Sequence, residues 1–119
     1  MEFNKSKKIL VIGRAGMDIY PEPPGTKISE VKSFSTHLGG SAANTCVALS
    51  QLGVQSDLLT CVSEDAIGEY IFEKLKEFNV GSNFCRRVEN KFQTQVAVVE
   101  TILKNNQSIL YRNNSCDLQ

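Results

Sequence analysis

The stretch His37–Asn44, with the sequence HLGGSAAN, is the part of the chain that decides the fold class. Two glycines, Gly39 and Gly40, stand directly before a segment in which apolar residues recur at helical spacing, namely Ala43, Val47, Ala48 and Leu52. Gly53 then supplies a left-handed C-terminal cap. Glycines before a helix let backbone N–H groups approach a ligand at the positive helix end. Alone, such a pair indicates a tight turn more often than a binding site.

Apolar segments on both sides of this helix predict strands of a parallel sheet. Lys8–Gly13 (KILVIG) is a short continuous apolar run closed by glycine, and Gln55–Val62 is expected to supply the next strand. A second helix follows, with Ser63 as its expected N-cap and Asn79–Gly81 as its end. The order strand, helix, strand, helix with short connections predicts a right-handed parallel α/β unit whose helices cover the sheet.

Other segments predict a separate set of β-strands that forms a lid. Tyr20–Gly25 contains three prolines and a glycine, so we expect an irregular excursion there. Ile28–Leu38 alternates loosely between apolar and polar residues, which indicates a strand with one solvated face. Thr94–Leu103 and Ser108–Arg112 flank a turn and predict a hairpin. The lid strands are therefore expected at about residues 20–38 and 93–113.

An acidic side chain follows the first predicted strand closely. In Gly13–Asp18 (GRAGMD) the strand ends in glycines, and the carboxyl ends of parallel strands are where α/β proteins bind ligands. The carboxylate of Asp18 can accept hydrogen bonds from two hydroxyls of a sugar diol. The alternative is that Asp18 only caps the turn. Neither a Gly-x-Gly-x-x-Gly fingerprint nor a Gly-x-x-x-x-Gly-Lys-Ser/Thr phosphate loop is present.

The order of these motifs along the chain resembles a known family. Asp18 after the first strand, a flap, Gly-Gly-x-x-x-Asn at residues 39–44 and Asp65-x-x-Gly68 resemble the N-terminal half of PfkB (ribokinase-like) carbohydrate kinases. The resemblance covers essentially the whole chain. It implies a ribokinase-like, Rossmann-like parallel sheet with flanking helices and a β-strand lid, and homodimers or oligomers formed through the lid strands. It also implies that four residues bind the acceptor sugar: Asp18, Gly39, Gly40 and Asn44.

The resemblance also implies a reaction, the ATP-dependent phosphorylation of a primary sugar hydroxyl with Mg²⁺. The catalytic base of this family is an Asp in a Gly-Ala-Gly-Asp segment far downstream, and the chain contains no such segment. We therefore predict no catalytic residue, metal ligand or ATP-binding motif within residues 1–119. The expectation is an N-terminal sugar-binding portion, inactive alone, whose ATP-binding and catalytic portion is absent from the chain.

A finer resemblance concerns the substrate. Ser108–Asn113 (SILYRN), followed by Asp117, resembles the branch that phosphorylates the sugar acid 5-dehydro-2-deoxygluconate in myo-inositol catabolism. Arg112 is then predicted to pair its guanidinium with the substrate carboxylate, although a solvated arginine at a strand end is an equal alternative. Tyr111 and Arg112 are expected on opposite faces of the strand. The segment Gly16-Met17 departs from the Cys-Ile of that branch.

Three further side chains are weaker candidates. His37 stands beside the glycine pair without a visible Asp or Ser partner, Tyr111 is a candidate for lining the sugar site, and Arg14 is interpreted as structural. Two other functions stay open. One is a kinase for a neutral sugar or a nucleoside, like ribokinase or fructokinase. The other is a short non-catalytic protein that pairs with another chain through its lid strands.

Composition argues against several classes of protein. The 13 Lys and Arg residues balance 13 Asp and Glu residues, which gives no basic patch for nucleic acid. The longest apolar run, Ile9–Ile12, is far too short to span a membrane, and no cleavable leader is recognisable. The four cysteines form no Cys-x-x-Cys pair, which favours reduced thiols and a cytoplasmic protein.

Overall fold

The computed structural model describes residues 7–89 and 91–118, which form two β-sheets and two α-helices. The first sheet is parallel and has the order β1 (Ile9–Ile12), β4 (Ser56–Ser63), β5 (Cys85–Val88). The second sheet, called the lid sheet below, has the order β3 (Ser33–Gly39), β2 (Gly16–Glu22), β6 (Gln95–Val99), β7 (Ser108–Tyr111). The helices are α1 (Ser41–Gln51) and α2 (Ala66–Glu77), and short 3-10 helices cover Ile28–Glu30 and Cys116–Leu118. Within the described ranges no helix is long and apolar enough to cross a membrane.

The parallel sheet and the two helices confirm the predicted α/β fold. Leu58 and Val62 of β4 are fully buried, as are Ile71 and Leu75 of α2. On α1 the buried residues are all small, namely Ala42, Ala43 and Cys46, so this helix can pack close to β4. The core therefore lies between the parallel sheet and one face of each helix.

The predicted helix ends are confirmed except for one cap. Gly53 has φ 76° after α1, as expected for a left-handed C-terminal cap, and Asn79 has φ 56° after α2. The N-cap of α2, however, is Asp65 and not Ser63, because the Asp65 carboxylate accepts hydrogen bonds from the backbone N–H groups of Ile67 and Gly68. Ser63 belongs to β4 and donates its hydroxyl hydrogen bond to Asp65 Oδ1 at 2.7 Å.

The lid sheet is larger than predicted, and its boundaries need correction. It begins at Gly16 rather than near Tyr20, because the pairing of β2 with β3 runs from Gly16 opposite Gly39 to Glu22 opposite Ser33. Asp18 accordingly lies inside a strand and not in a turn. The strand predicted from Ile28 begins at Ser33, since residues 28–30 form a 3-10 turn. The irregular excursion predicted from Tyr20 starts only after β2.

The predicted hairpin is confirmed, and it ends one residue before Arg112. β6 and β7 pair antiparallel, from Val96 opposite Tyr111 to Val99 opposite Ser108. Glu100, which is buried, ties the hairpin to the 3-10 helix that lies between β2 and β3. One of its carboxylate oxygens accepts the N–H of Ile28 and the other accepts the N–H of Gln107, each at 2.9 Å. Both oxygens of this buried charge are thus satisfied.

Candidate functional site

A cavity of about 540 Å³ lies where the lid sheet meets α1 and the end of α2. Asp18 from β2 and Asn44 from α1, two of the predicted site residues, line it together. The other two predicted residues, Gly39 and Gly40, are not among its lining residues: Gly39 ends β3 and Gly40 is the N-cap of α1. The full lining consists of Asp18, Tyr20, Pro21, Glu22, Pro24, Ser35, His37, Leu38, Asn44, Val47, Phe78 and Thr101.

The glycine pair is required by close backbone approach on both sides. A Cβ atom on Gly39 would overlap the carboxylate of Asp18, and one on Gly40 would overlap the carbonyl oxygen of Arg14. Gly40 also has φ 96°, a conformation that other residues rarely adopt. Gly39 therefore leaves the space that the Asp18 carboxylate occupies. Gly40 allows α1 to start in close contact with the backbone of Arg14, which lies in the connection between β1 and β2.

The carboxylate of Asp18 is held in a half-buried position on the lid sheet. Tyr20 donates its hydroxyl hydrogen bond to Asp18 Oδ2 at a long 3.5 Å. Desolvation by burial raises the pKa of Asp18, and the Tyr20 hydrogen bond and the nearby His37 oppose this rise. A partly desolvated carboxylate with few protein partners gains most from hydroxyl donors that a ligand brings.

His37 packs against the residue that holds Asp18. Its ring meets the ring of Tyr20 edge-on, with 5.2 Å between ring centroids and 77° between planes. Its Nε2 lies 3.3 Å from the hydroxyl oxygen of Ser35, and Asp18 is its register partner across the β2–β3 ladder. His37 thus lines the cavity beside Asp18, and its role in binding stays a prediction.

Asn44 reaches the cavity from the first turns of α1. Its backbone N–H donates to the carbonyl of Gly40 at 2.9 Å, so its position is fixed by the helix start. The side chain is exposed on the cavity side. The cavity consequently combines an amide and a carboxylate, two groups that suit a polyhydroxylated ligand.

Arg112 is not among the residues that line this cavity. It follows β7 directly, and the chain then turns so that Ser115 forms a parallel bridge with Gln93. Gly16 and Asp18 share one face of the lid sheet because side chains alternate along a strand. Tyr111, the register partner of Val96, lies on the other face, and the face on which Arg112 lies stays a prediction.

Sequence reasoning missed a polar cluster on the face that carries Asp18. The side chain of Arg14 donates from Nε to Asp117 Oδ2 at 2.6 Å and from Nη1 to Gln95 Oε1 at 2.7 Å. Ser115 donates to the other carboxylate oxygen, Asp117 Oδ1. The cluster joins residues up to 103 positions apart, and no local sequence pattern signals that separation.

The Asp65-x-x-Gly68 motif serves the structure of α2. Asp65 caps the helix, and a Cβ atom on Gly68 would overlap the carbonyl oxygen of Ser63. The hydroxyl of Thr94 completes this junction by accepting the backbone N–H of Ser63 at 2.8 Å. The motif thus sets the distance between the end of β4 and α2.

Comparison with known proteins identifies the family. Residues 6–119 match the model of the pfkB family carbohydrate kinases. The chain belongs to this family. It is 33% identical over 109 residues to a 5-dehydro-2-deoxygluconokinase from Photobacterium profundum. This match covers 92% of this chain and 33% of that protein. It is 31% identical to the protein of the same name from Clostridium perfringens, over 100% of this chain and 36% of the relative.

Solved structures of PfkB proteins have the same fold. An uncharacterized sugar kinase from Pyrococcus horikoshii, solved in complex with ATP, aligns with a TM-score of 0.81 at 30% identity over 91% of this chain and 35% of that one. A PfkB carbohydrate kinase from Listeria grayi aligns with a TM-score of 0.85 at 25% identity, over 95% of this chain and 35% of that chain. The chain thus spans about a third of the length of its PfkB relatives.

Proposed function

We propose that this chain is the sugar-binding portion of an ATP-dependent PfkB sugar kinase. The observation that carries the proposal is the cavity in which Asp18 and Asn44 meet beside the glycine pair. Asp18 accepts hydrogen bonds from two sugar hydroxyls, Asn44 binds a further hydroxyl, and Gly39 and Gly40 let the sugar approach the backbone. The carboxylate thereby recovers the hydrogen bonds that its partial burial removes.

We propose further that the sugar is an acid of the type named in the relatives, 5-dehydro-2-deoxygluconate, as used in myo-inositol catabolism. Arg112, which follows β7, is the residue we propose for the substrate carboxylate, since a guanidinium can form paired hydrogen bonds with a carboxylate. The printed names of the two kinases from Photobacterium profundum and Clostridium perfringens also favour it. Cytoplasmic phosphorylation of such an acid is the function of the longer kinase.

We assign the binding of ATP and Mg²⁺ to the part of the longer kinase outside this chain. Within residues 7–89 and 91–118, no group of three or more His, Cys, Asp and Glu side chains could hold a metal ion. The sequence offers no phosphate-binding glycine loop either. We therefore expect no turnover when the 119-residue chain is incubated with ATP, Mg²⁺ and sugar acids, measured as ADP release. Clear phosphorylation would contradict the division of roles proposed here.

The direct test is sugar binding by the chain itself. We expect the ¹⁵N-labelled chain to bind 5-dehydro-2-deoxygluconate more tightly than D-fructose in an NMR titration, with the largest amide shifts around Asp18 and Asn44. Asp18→Asn should abolish binding, because an amide replaces one acceptor oxygen with a donor. Glu30→Gln removes an exposed carboxylate outside the cavity and serves as the control. Tighter binding of D-fructose would favour a neutral-sugar kinase instead.

A second candidate function is pairing with another chain through the lid sheet. Its edge strands carry exposed apolar side chains, Phe34 on β3 and Leu110 and Tyr111 on β7. Unpaired strand edges favour association. Size-exclusion chromatography with light scattering should then detect dimers or oligomers. Reading the coding frame past Gln119 separates the candidates, since a continuation with Gly-Ala-Gly-Asp supports the kinase and a stop codon supports the pairing protein.

A further inference from the structure

Four polar side chains form a two-by-two group on one face of the lid sheet. Asp18 and Tyr20 alternate along β2, and their register partners on β3 are His37 and Ser35. Directly opposite residues of an antiparallel pair point to the same face, with Cβ atoms about 4.5–5.5 Å apart. All four residues line the cavity of about 540 Å³. A sugar hydroxyl bound to Asp18 therefore lies next to the imidazole of His37.

The imidazole is oriented by two members of this group. The His37 ring meets the Tyr20 ring edge-on at 5.2 Å between centroids, and its Nε2 lies 3.3 Å from the hydroxyl oxygen of Ser35. When Ser35 donates to Nε2, the proton of the neutral imidazole resides on Nδ1. Within residues 7–89 and 91–118, no group is hydrogen-bonded to Nδ1. The ring is exposed, so it can offer its Nδ1–H to a ligand.

The cavity offers a ligand strong acceptors but few donors. Two carboxylates line it, those of Asp18 and Glu22, and its described lining contains neither lysine nor arginine. The hydroxyls of a sugar can donate to these carboxylates, whereas a carbonyl oxygen only accepts and needs a donor from the protein. In this lining, side-chain N–H donors come from His37 and Asn44. Of these two, His37 is the register partner of Asp18.

The proposed sugar acid carries a carbonyl oxygen directly beside its diol. In open-chain 5-dehydro-2-deoxygluconate, carbon 2 bears no oxygen and carbon 5 is a ketone, so carbons 3 and 4 form its one vicinal diol. Asp18, as the acceptor of a diol, therefore binds the hydroxyls of carbons 3 and 4. The diol is then flanked by a methylene on one side and by the ketone on the other. A donor placed beside Asp18 finds its acceptor in the ketone oxygen.

We propose that His37 is a specificity-determining residue that donates a hydrogen bond from Nδ1 to the ketone oxygen of the sugar acid, with Ser35 and Tyr20 as its positioning residues. The inference rests on the proposed function and deepens it. The ketone adjoins carbon 6, which bears the primary hydroxyl that the proposed reaction phosphorylates. His37 thereby sets which end of the sugar lies toward β3.

The competing explanation is that His37 only packs against Tyr20. Such a contact braces the lid sheet through the aromatic ring and needs no free nitrogen. The two roles differ in their dependence on the ligand. A brace affects every compound that binds in the cavity alike, whereas a hydrogen bond to the ketone affects only compounds that have the oxygen.

The test titrates the 119-residue chain with 5-dehydro-2-deoxygluconate and with 3,4,6-trihydroxyhexanoate, which keeps the carbon chain and the diol but lacks the oxygen at carbon 5. We expect wild type to prefer the keto acid. His37→Phe keeps a ring against Tyr20 and should weaken binding of the keto acid about three- to tenfold, as for one neutral hydrogen bond, without changing the affinity for the analogue. His37→Asn, whose amide N–H lies near the position of Nδ1, should restore part of the preference. Thr36→Val, on the opposite face of β3, is the control.

A spectroscopic measurement observes the same hydrogen bond directly. His37 is the single histidine of the chain, so its two ring nitrogens are assigned without ambiguity in a long-range ¹H–¹⁵N NMR spectrum. We expect the Nδ1 signal to shift on addition of the keto acid and to stay in place with the analogue. An Nδ1 signal that responds identically to both compounds contradicts the hydrogen bond.

The outcomes separate the inference from the function on which it rests. Equal weakening for both compounds in His37→Phe assigns His37 to the bracing role and overturns the inference. A preference for the keto acid that survives His37→Phe unchanged, or a wild type without that preference, also overturns it and leaves the proposed function intact. A wild-type chain that binds neither compound overturns the proposed function itself. Amide NMR spectra of each variant verify that the core is folded.

Discussion

The parallel sheet and the lid sheet divide stability and recognition between them. The central strand of the parallel sheet, β4, places Leu58 and Val62 in the core with no exposed surface. All four residues of β7 in the lid sheet are exposed, including Leu110 at 45%. Burial of apolar area is the main source of folding free energy, so most of the stability should come from the first sheet.

The polar groups show the reverse distribution. Asp18, His37 and Gln95, together with the residues that hold Arg14, belong to the lid sheet or contact it. A sheet with one face free of core packing can display such groups toward a ligand, whereas a strand buried on both faces cannot. A substitution in the parallel sheet should therefore affect mainly stability, and one in the lid sheet mainly sugar binding.

Truncating one leucine in each sheet should produce the largest difference between the two sheets. Leu58→Ala removes a fully buried side chain next to α1 and α2, and we expect it to lower the free energy of unfolding by about 2–5 kcal/mol. Leu110→Ala, the matched change in β7, should cost less than about 0.5 kcal/mol because its side chain is largely exposed. Urea denaturation followed by circular dichroism measures both. Equal losses would show that the lid sheet contributes to the core.

The second prediction concerns the glycine pair. Gly39→Ala places a methyl group in the space of the Asp18 carboxylate, which must then rotate away from the cavity. We expect sugar binding to weaken about tenfold or more, the loss associated with one charge-assisted hydrogen-bonding group. Gly25→Ala is the control, because a Cβ atom there meets nothing within 4 Å although its φ of 90° is strained. Unchanged binding in Gly39→Ala would remove Asp18 from the site.

The parallel sheet could be predicted from sequence, and much of the lid sheet could not. β1 is a short apolar run closed by glycine, and β4 has apolar residues at its centre, which predicts two strands. β1 nevertheless lies at the edge of the sheet with Leu10 and Ile12 exposed, because an apolar run does not indicate which neighbours the strand has. β2 contains Gly16, Asp18 and Pro21, residue types that are depleted in strands, so its sequence carries little local β signal. Pairing with β3 on one side and β6 on the other makes it a strand.

The candidate site likewise contains residues that a local motif predicts and residues that only the folded chain brings together. Asp18, Gly39, Gly40 and Asn44 were predicted because their motif is local and ordered along the chain. Arg14 was interpreted as structural, and its partners Gln95 and Asp117 were missed. These residues meet across separations of 81 and 103 positions, which only the folded lid sheet reveals. The role of Arg112 stays a prediction, since the cavity does not include it.

The smallest expected effect concerns the cost of holding Asp18 half-buried. Burial raises its pKa above the usual 3.8, so the folded state prefers the protonated carboxyl. A carboxyl group whose pKa is raised in the folded state stabilises that state below pH 3.8. This contribution is lost as the pH rises through the raised pKa. Asp18→Asn lacks this titration.

We therefore expect the free energy of unfolding of Asp18→Asn, relative to wild type, to rise as the pH increases from below 3.8 toward neutrality, while sugar binding is lost. Paired urea titrations across this range measure the difference curve, in which the other carboxylates cancel because both proteins contain them. Glu30→Gln controls for the removal of one charge. A flat difference curve would show that Asp18 is not held against a desolvation cost, and that the lid sheet gives up no stability to present it.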